Sequence, residues 1–232
     1  MTALADPQTR SYARIAGALY LVIAVSGGFA IAYVPAALSV PGDTTATLQA
    51  IPAGRALFLA GIGGDVIMML AEIAVATMLY FMFRPVNPTL SAMALSARLM
   101  MVAVMAPMLF FSAAALALAD GSRLATLSEA ARADWLDLML YLDAVGVWIW
   151  QLFFALHLAL LGLLVRASGR FPTLLGWGLM IGSGGYALDS LQGFAFPDSA
   201  PLQAATVALL VIVTLAEIGF AFWLLLRGPR TI

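Results

Sequence analysis

Six stretches of this 232-residue chain, at about 12–34, 55–83, 89–118, 136–165, 172–193 and 201–226, are apolar over twenty or more residues with few charges inside. Crossing the hydrocarbon core of a bilayer, about 30 Å thick, takes about 20 helical residues. No water reaches the backbone there, so every N–H and C=O must find its partner within the segment, which an α-helix achieves. The expectation is an all-α polytopic membrane protein, a six-transmembrane-helix bundle forming a single integral membrane domain over 1–232. With 63% hydrophobic residues, against roughly 45–50% in a soluble domain, the chain has no length to spare for a soluble domain.

The connections carry their own signals. The first run is too long for the apolar core of a signal peptide, so Ala30-Ile31-Ala32 is read as part of a retained first span and not as a cleavage site. Pro41-Gly42 marks a turn, and Asp43 is placed to cap a short surface helix through Ile51. Asn87 is placed to cap the third span with Pro88 at its first position. Ser128-Glu129 restarts an amphipathic piece to about Trp135, expected to rest at the interface before the fourth span. Pro172 opens the fifth span, Asp198, Ser199 and Pro201 begin the sixth, and Gly228-Pro229 stops it.

All eleven cations are arginine. Arg10, Arg14, Arg84, Arg166, Arg170, Arg227 and Arg230 fall on one side of the six-span topology, Arg55, Arg123 and Arg132 on the other, and Arg98 within a span. That bias of seven to three places both termini in the cytoplasm. The absence of lysine, with heavy use of alanine and arginine, is the composition of a GC-rich bacterial genome, so the expected location is the inner membrane. Scattered arginines form no basic stripe, so nucleic acid is not an expected partner. Without cysteine the chain has no disulfide, thiol nucleophile or thiolate metal site, and no cofactor is expected.

Seven ionisable side chains nonetheless sit inside the apolar runs: Asp65, Glu72, Arg98, Asp143, His157, Asp189 and Glu217. A charge facing the bilayer centre costs roughly 3 kcal/mol, so these must face one another or water. Residues seven apart lie within roughly 20° of one another around a helix and about 10 Å apart along it. Asp65 and Glu72 therefore share a face of the second span, and Asp143, Trp150 and His157 a face of the fourth. Gly178, Gly182, Gly185 and Asp189 line one face of the fifth, a small-residue pattern that lets backbones approach. Thr206, Thr214 and Glu217 form a polar stripe on the sixth.

Depth sorts the seven into two layers. Glu72, Arg98, His157 and Glu217 form an inner layer, where Arg98 can pair with Glu72 or Glu217 and His157 can bond the remaining carboxylate. That layer reads either as architecture or as a relay or gate. Asp65, Asp143 and Asp189 form an outer layer with no cation, Asp189 being the preferred functional acid, and Trp150 and Tyr186 are candidate cavity-lining residues. Carboxyls gathered in a medium of low dielectric do not all ionise together, and a neutral one is a ready proton carrier or cation site.

Several segments carry a family likeness: Arg14-Ile15-Ala16-Gly17-Ala18-Leu19-Tyr20-Leu21, Val40-Pro41-Gly42-Asp43, Leu79-Tyr80 with Arg84-Pro85-Val86-Asn87, Leu156-His157-Leu158 through Arg166, Phe171-Pro172 with Leu175-Gly176, and Gly185-Tyr186-Ala187-Leu188-Asp189-Ser190. Over nearly the whole chain they resemble an uncharacterised bacterial multi-pass membrane family, domain-of-unknown-function family 4386. The resemblance implies a polytopic membrane protein with a histidine and an aspartate at the positions of His157 and Asp189, and no assigned activity.

The leading expectation is a bundle that binds or transports a small cationic or weakly basic ligand, or protons, through a polar intramembrane cavity. The alternative is a non-catalytic accessory subunit whose buried charges serve assembly. A third reading, an intramembrane metal-dependent hydrolase, would rest on His157, Glu72 and Glu217 with no supporting motif. Expected partners are the lipid bilayer, a small-molecule ligand, and either a membrane protein or a second copy of the chain.

Overall fold

A computed structural model describes residues 4–229. Among these residues the chain is all-helical, with no strand: α1 Arg10–Gly27, a π-helical turn Gly28–Tyr33, α2 Val34–Leu38, α3 Thr44–Ala53, α4 Arg55–Phe83, α5 Pro88–Ala119, α6 Glu129–Ala167, α7 Thr173–Gly182, α8 Gly184–Ala195 and α9 Ala200–Leu226. Five helices are long and apolar enough to cross a membrane: Arg10–Leu38, in which α1, the π turn and α2 run on without a break, then α4, α5, α6 and α9.

Local chemistry sets the helix starts. The Asp43 carboxylate accepts from Ala46 N at 2.8 Å, Asn87 from Leu90 N at 3.0 Å with Pro88 in the first turn, and Ser128 from Ala131 N at 3.2 Å. Each side-chain oxygen satisfies one of the N–H groups that a helix start leaves without an intrahelical partner. Beyond Ser128 the structure departs from expectation. The amphipathic piece and the fourth span are one helix of 39 residues, because nothing between Trp135 and Leu136 interrupts the backbone ladder. At 1.5 Å per residue α6 is about 58 Å long, well beyond the hydrocarbon thickness.

The expected span at 172–193 is two shorter helices, α7 and α8, meeting at Ser183. Its hydroxyl donates back to Met180 O at 2.7 Å, and glycines on both sides remove the side chains that favour a continuous helix. The glycines also set the packing. A Cβ on Gly182 would lie 2.6 Å from Val213 N, and one on Gly185 2.8 Å from Leu210 N, so α7 and α8 rest directly on the α9 backbone. Gly17 does the same for α1 against α9, where a Cβ would meet Leu225 N at 2.6 Å.

These contacts close a ring. Going round, α1 packs on α4, α4 on α5, α5 on α6, α6 on the α7–α8 pair, that pair on α9, and α9 back on α1. At the end where α1 begins, the Arg10 guanidinium donates to Arg227 O at 3.0 Å, Gln8 Nε2 to Met82 O at 3.2 Å, and Arg170 to the Gln8 side chain. Arg230, counted with this group in the sequence, lies outside the described residues. At the opposite end Arg55 pairs with Asp120 at 2.8 Å and Arg132 donates to Leu118 O at 3.2 Å. Hydrogen bonds from Ser122, with Arg55 beside it, hold the Asp120 carboxyl below the usual carboxylate range. There α3 lies across the bundle, with Leu48 and Ile51 packed in a small core with Ala115, Leu118, Ala133 and Leu136.

The close α1–α9 approach sets an expectation. Gly17→Val should lower the thermal stability of the purified protein by about 1–3 kcal/mol through overpacking. Gly28→Ala, whose added Cβ meets nothing within 4 Å, should leave the melting temperature unchanged.

Candidate functional site

At the centre of the ring each of its six members supplies one polar side chain: Tyr20 from α1, Glu72 from α4, Arg98 from α5, His157 from α6, Tyr186 from α8 and Glu217 from α9. Arg98 is the hub, fully buried at 0% exposure. Its Nε donates to Glu72 Oε2 in a buried ion pair. Its Nη1 donates to the Tyr20 hydroxyl at 2.7 Å and to His157 Nε2 at 3.0 Å. The guanidinium lies 4.8 Å from the Tyr20 ring centre and 5.6 Å from that of Phe154, within the range of cation–π attraction.

The histidine's state follows from its partners. A guanidinium only donates and a carbonyl only accepts. His157 Nε2 faces Arg98 and Nδ1 faces Ala94 O at 2.8 Å, so the imidazole is neutral with its proton on Nδ1. It bonds the arginine and the backbone, and not the remaining carboxylate as the sequence suggested. That carboxylate, Glu217, lies beside the Tyr186 hydroxyl and the Arg98–Glu72 pair. A metal centre on His157, Glu72 and Glu217 does not fit this arrangement: both imidazole nitrogens are engaged and a permanent cation occupies the middle. The described residues bring no three histidine, cysteine, aspartate or glutamate side chains into ligating distance.

Further along the same helices, towards α3, lies a cavity of about 400 Å³ bounded by α4, α5 and α6, by α3, and by the π turn with α2. Asp65 and Asp143 both line it, from α4 and α6. Among the described residues neither is ion-paired. Most of the remaining lining is carbon and sulfur, including Met69, Met105, Met108 and Trp150. Ala30 and Ile31 of the π turn form part of the wall. Such widened turns recur at functional sites because the extra residue displaces the backbone sideways.

An aromatic layer separates cavity and cluster. Trp150 lines the cavity and sits 6.1 Å from Phe154 and 6.4 Å from Tyr186, ring centre to ring centre. Phe154 in turn stacks on His157 at 6.0 Å, with the planes 5° apart. The seven-residue stripes of the sequence thus run from cavity to cluster, from Asp65 to Glu72 on α4 and from Asp143 through Trp150 to His157 on α6.

Asp189 stands apart. It is partly buried on α8, and it lines neither this cavity nor the central cluster. Its neighbour Ser190 is the buried one, donating to Tyr186 O at 2.9 Å and to Gln151 Oε1 at 3.4 Å. Tyr186 joins the cluster and not the cavity. Tyr20, Phe154 and Gln151 were not singled out in the sequence. The available signal for Tyr20 is its place on the buried face of α1 with Tyr12, Ala13, Ala16 and Gly17.

The comparisons with known proteins agree in kind. A family model described as Domain of unknown function (DUF4386) matches residues 15–228. An uncharacterised protein of Archaeoglobus fulgidus is 29% identical over 167 residues, which is 72% of this chain and 83% of that protein. No solved structure matches the chain.

The central pair carries an expectation about stability. Truncating one partner of a buried ion pair strands the other charge and costs about 3–5 kcal/mol, whereas replacing both by apolar residues costs far less. Arg98→Met and Glu72→Met should each lower the melting temperature more than the Glu72→Met, Arg98→Met double variant does, as read by thermal unfolding in detergent.

Proposed function

The chain belongs to the DUF4386 family, and from that premise and the geometry above we propose that it binds a small cationic or weakly basic ligand, or protons, in the Asp65–Asp143 cavity and carries it across the membrane. The observation that supports this reading is the pair of partly buried carboxyls without a counter-ion, placed in a cavity large enough for a small molecule. Ligand cavities run from about 300 to 1,000 Å³ and combine apolar walls with a few convergent polar groups. A carboxylate in such a place favours a positive guest because it has no other partner.

In this proposal α7 and α8 together make a sixth crossing, broken at Ser183, and the ring is a six-span bundle. The described arginines divide six to three between its ends, which favours the arginine-rich end and both termini in the cytoplasm of a cell whose inner membrane holds the protein. The cavity then faces outward. The Arg98 cluster, held by partners on several helices, closes the inward side. Transport requires that closure to be relieved while the cavity is occupied.

Proteoliposomes test the reading. Uptake of radiolabelled amines, from methylammonium to benzylamine, and proton flux reported by an internal pH dye should fall about tenfold with Asp65→Asn or Asp143→Asn, a loss equivalent to about 1.4 kcal/mol of interaction. Asp189→Asn should leave both within about twofold, a difference small on that scale. Substitutions that reduce protein abundance while leaving uptake, proton flux and binding untouched would count against the proposal and favour an accessory subunit.

A further inference from the structure

The cavity wall suggests what kind of cation fits. Two carboxyls stand on facing helices, and beyond them Met69, Met105, Met108 and Trp150 present thioether and indole surface. A calcium or magnesium ion asks for six or more oxygen ligands, which this carbon-rich wall does not supply. A small hydrated cation would exchange its water for carbon and sulfur. A neutral apolar guest would leave Asp65 and Asp143 desolvated without partners, a costly outcome in a medium of low dielectric. A guest with one cationic group on an apolar body satisfies both halves of the wall. Its charge meets the carboxyls, its body meets side chains that adapt their shape, and the Trp150 ring offers a further cation-attracting face.

The route in follows from how the ring opens at this end. The π turn and α2 pack against α1, α3 and α4 and make no extensive contact with α6 or α9. Ile31 and Leu140 both line the cavity and are exposed on the outside of the bundle, by 43% and 37%. They stand in helices long and apolar enough to cross a membrane, and in the membrane-spanning arrangement proposed above the surface they share with the cavity is turned toward lipid. A guest dissolved in the bilayer reaches the carboxyls past these two side chains.

From these observations, and resting on the cation-binding reading above, we infer that the cavity is a site for an amphipathic organic amine that enters sideways from the bilayer, its ammonium group held by Asp65 and Asp143. The probe is radiolabelled 1-adamantylamine, equilibrated with the full-length protein in lipid nanodiscs and corrected for uptake by protein-free discs. Saturable binding with about one amine per chain is expected. The neutral isostere 1-adamantanol and the bare cation methylammonium should each compete at least about 100-fold less well, since neither meets both halves of the wall.

In the Asp65→Asn, Asp143→Asn double variant the affinity should fall about tenfold or more. Its melting temperature and elution profile check that the fold survives, and the competition series on the unmodified protein needs no variant. Binding of radioactive sodium or calcium that depends on Asp65 and Asp143, without binding of 1-adamantylamine, would overturn the ligand class and leave the cation reading standing. Equal competition by methylammonium would likewise overturn it. Acid-dependent binding of none of these probes, nor of protons, would overturn both.

Discussion

Arg98 imposes the strongest constraint on this molecule. A guanidinium stays charged in any protein environment, and at 0% exposure inside an apolar bundle it has no water to solvate it. Its solvation must come from the chain. Glu72 supplies the counter-charge, Tyr20 and the neutral His157 accept its N–H groups, and two aromatic faces stand against its plane. Those partners sit on α1, α4 and α6, so holding the Nε and Nη1 groups of one side chain aligns three helices around α5, while Nη2 has no hydrogen-bond partner among the described residues. Glu217 and Tyr186 extend the same arrangement to α9 and α8. The ring is therefore joined twice, by side-chain packing around its circumference and by polar contacts at its centre. Between helices surrounded by lipid the hydrophobic effect is weak, and polar contacts together with close backbone packing carry the association.

The two acidic populations then take different parts. Glu72 is consumed by architecture, because its carboxylate balances a cation that would otherwise be stranded. Asp65 and Asp143 balance no cation among the described residues, and the cavity they line is large enough to admit something else. Trp150 and Phe154 keep the two populations apart. Without that apolar layer, the arginine would be the natural partner of the cavity acids, and the cavity would lose the imbalance on which the proposed binding depends.

Much of this was legible in the sequence, for definable reasons. Helix caps at Asp43, Asn87 and Ser128 are local, so a few residues suffice to read them. The seven-residue steps on α4 and α6 follow from helix geometry alone, and they set Asp65 and Asp143 on one cavity and Glu72 and His157 on Arg98 once the helices took their places in the ring. Depth was less informative than direction. The sequence assigns Asp189 the depth of the other two aspartates, but the rotation of α8, which rests on α9 at Gly185, leaves it lining neither the cavity nor the cluster. That rotation depends on which helix α8 leans against, which no spacing within the segment encodes. Tyr20 escaped for the opposite reason: a tyrosine in an apolar run carries no charge to mark it, and its role exists only because Arg98 needs an acceptor. The break at Ser183 had a compositional trace in its glycines, which were read as a packing stripe. They serve both ends at once, since a backbone close enough to touch α9 has given up the side chains that would have stiffened α7 into α8.

The same trade recurs at the other side of the ring and bears on how a bound cation would move. α1 is tight against α9 near its start, where Gly17 meets Leu225, and loosens after Gly27 into the π turn. A π turn carries one residue more than the α ladder accommodates, so converting it to α-helix rotates everything beyond it by roughly one residue's turn, about 100°. The segment next beyond it is α2, which with Ala30 and Ile31 forms the cavity wall on the side without extensive contacts to α6 or α9. The part of the wall without those contacts is thus also the part that carries the π turn. The Arg98 cluster, fixed by partners on several helices, has no such freedom. In the transport proposal the wall at the π turn is accordingly the moving element, and the charge cluster is the anchor about which the remaining helices keep their places.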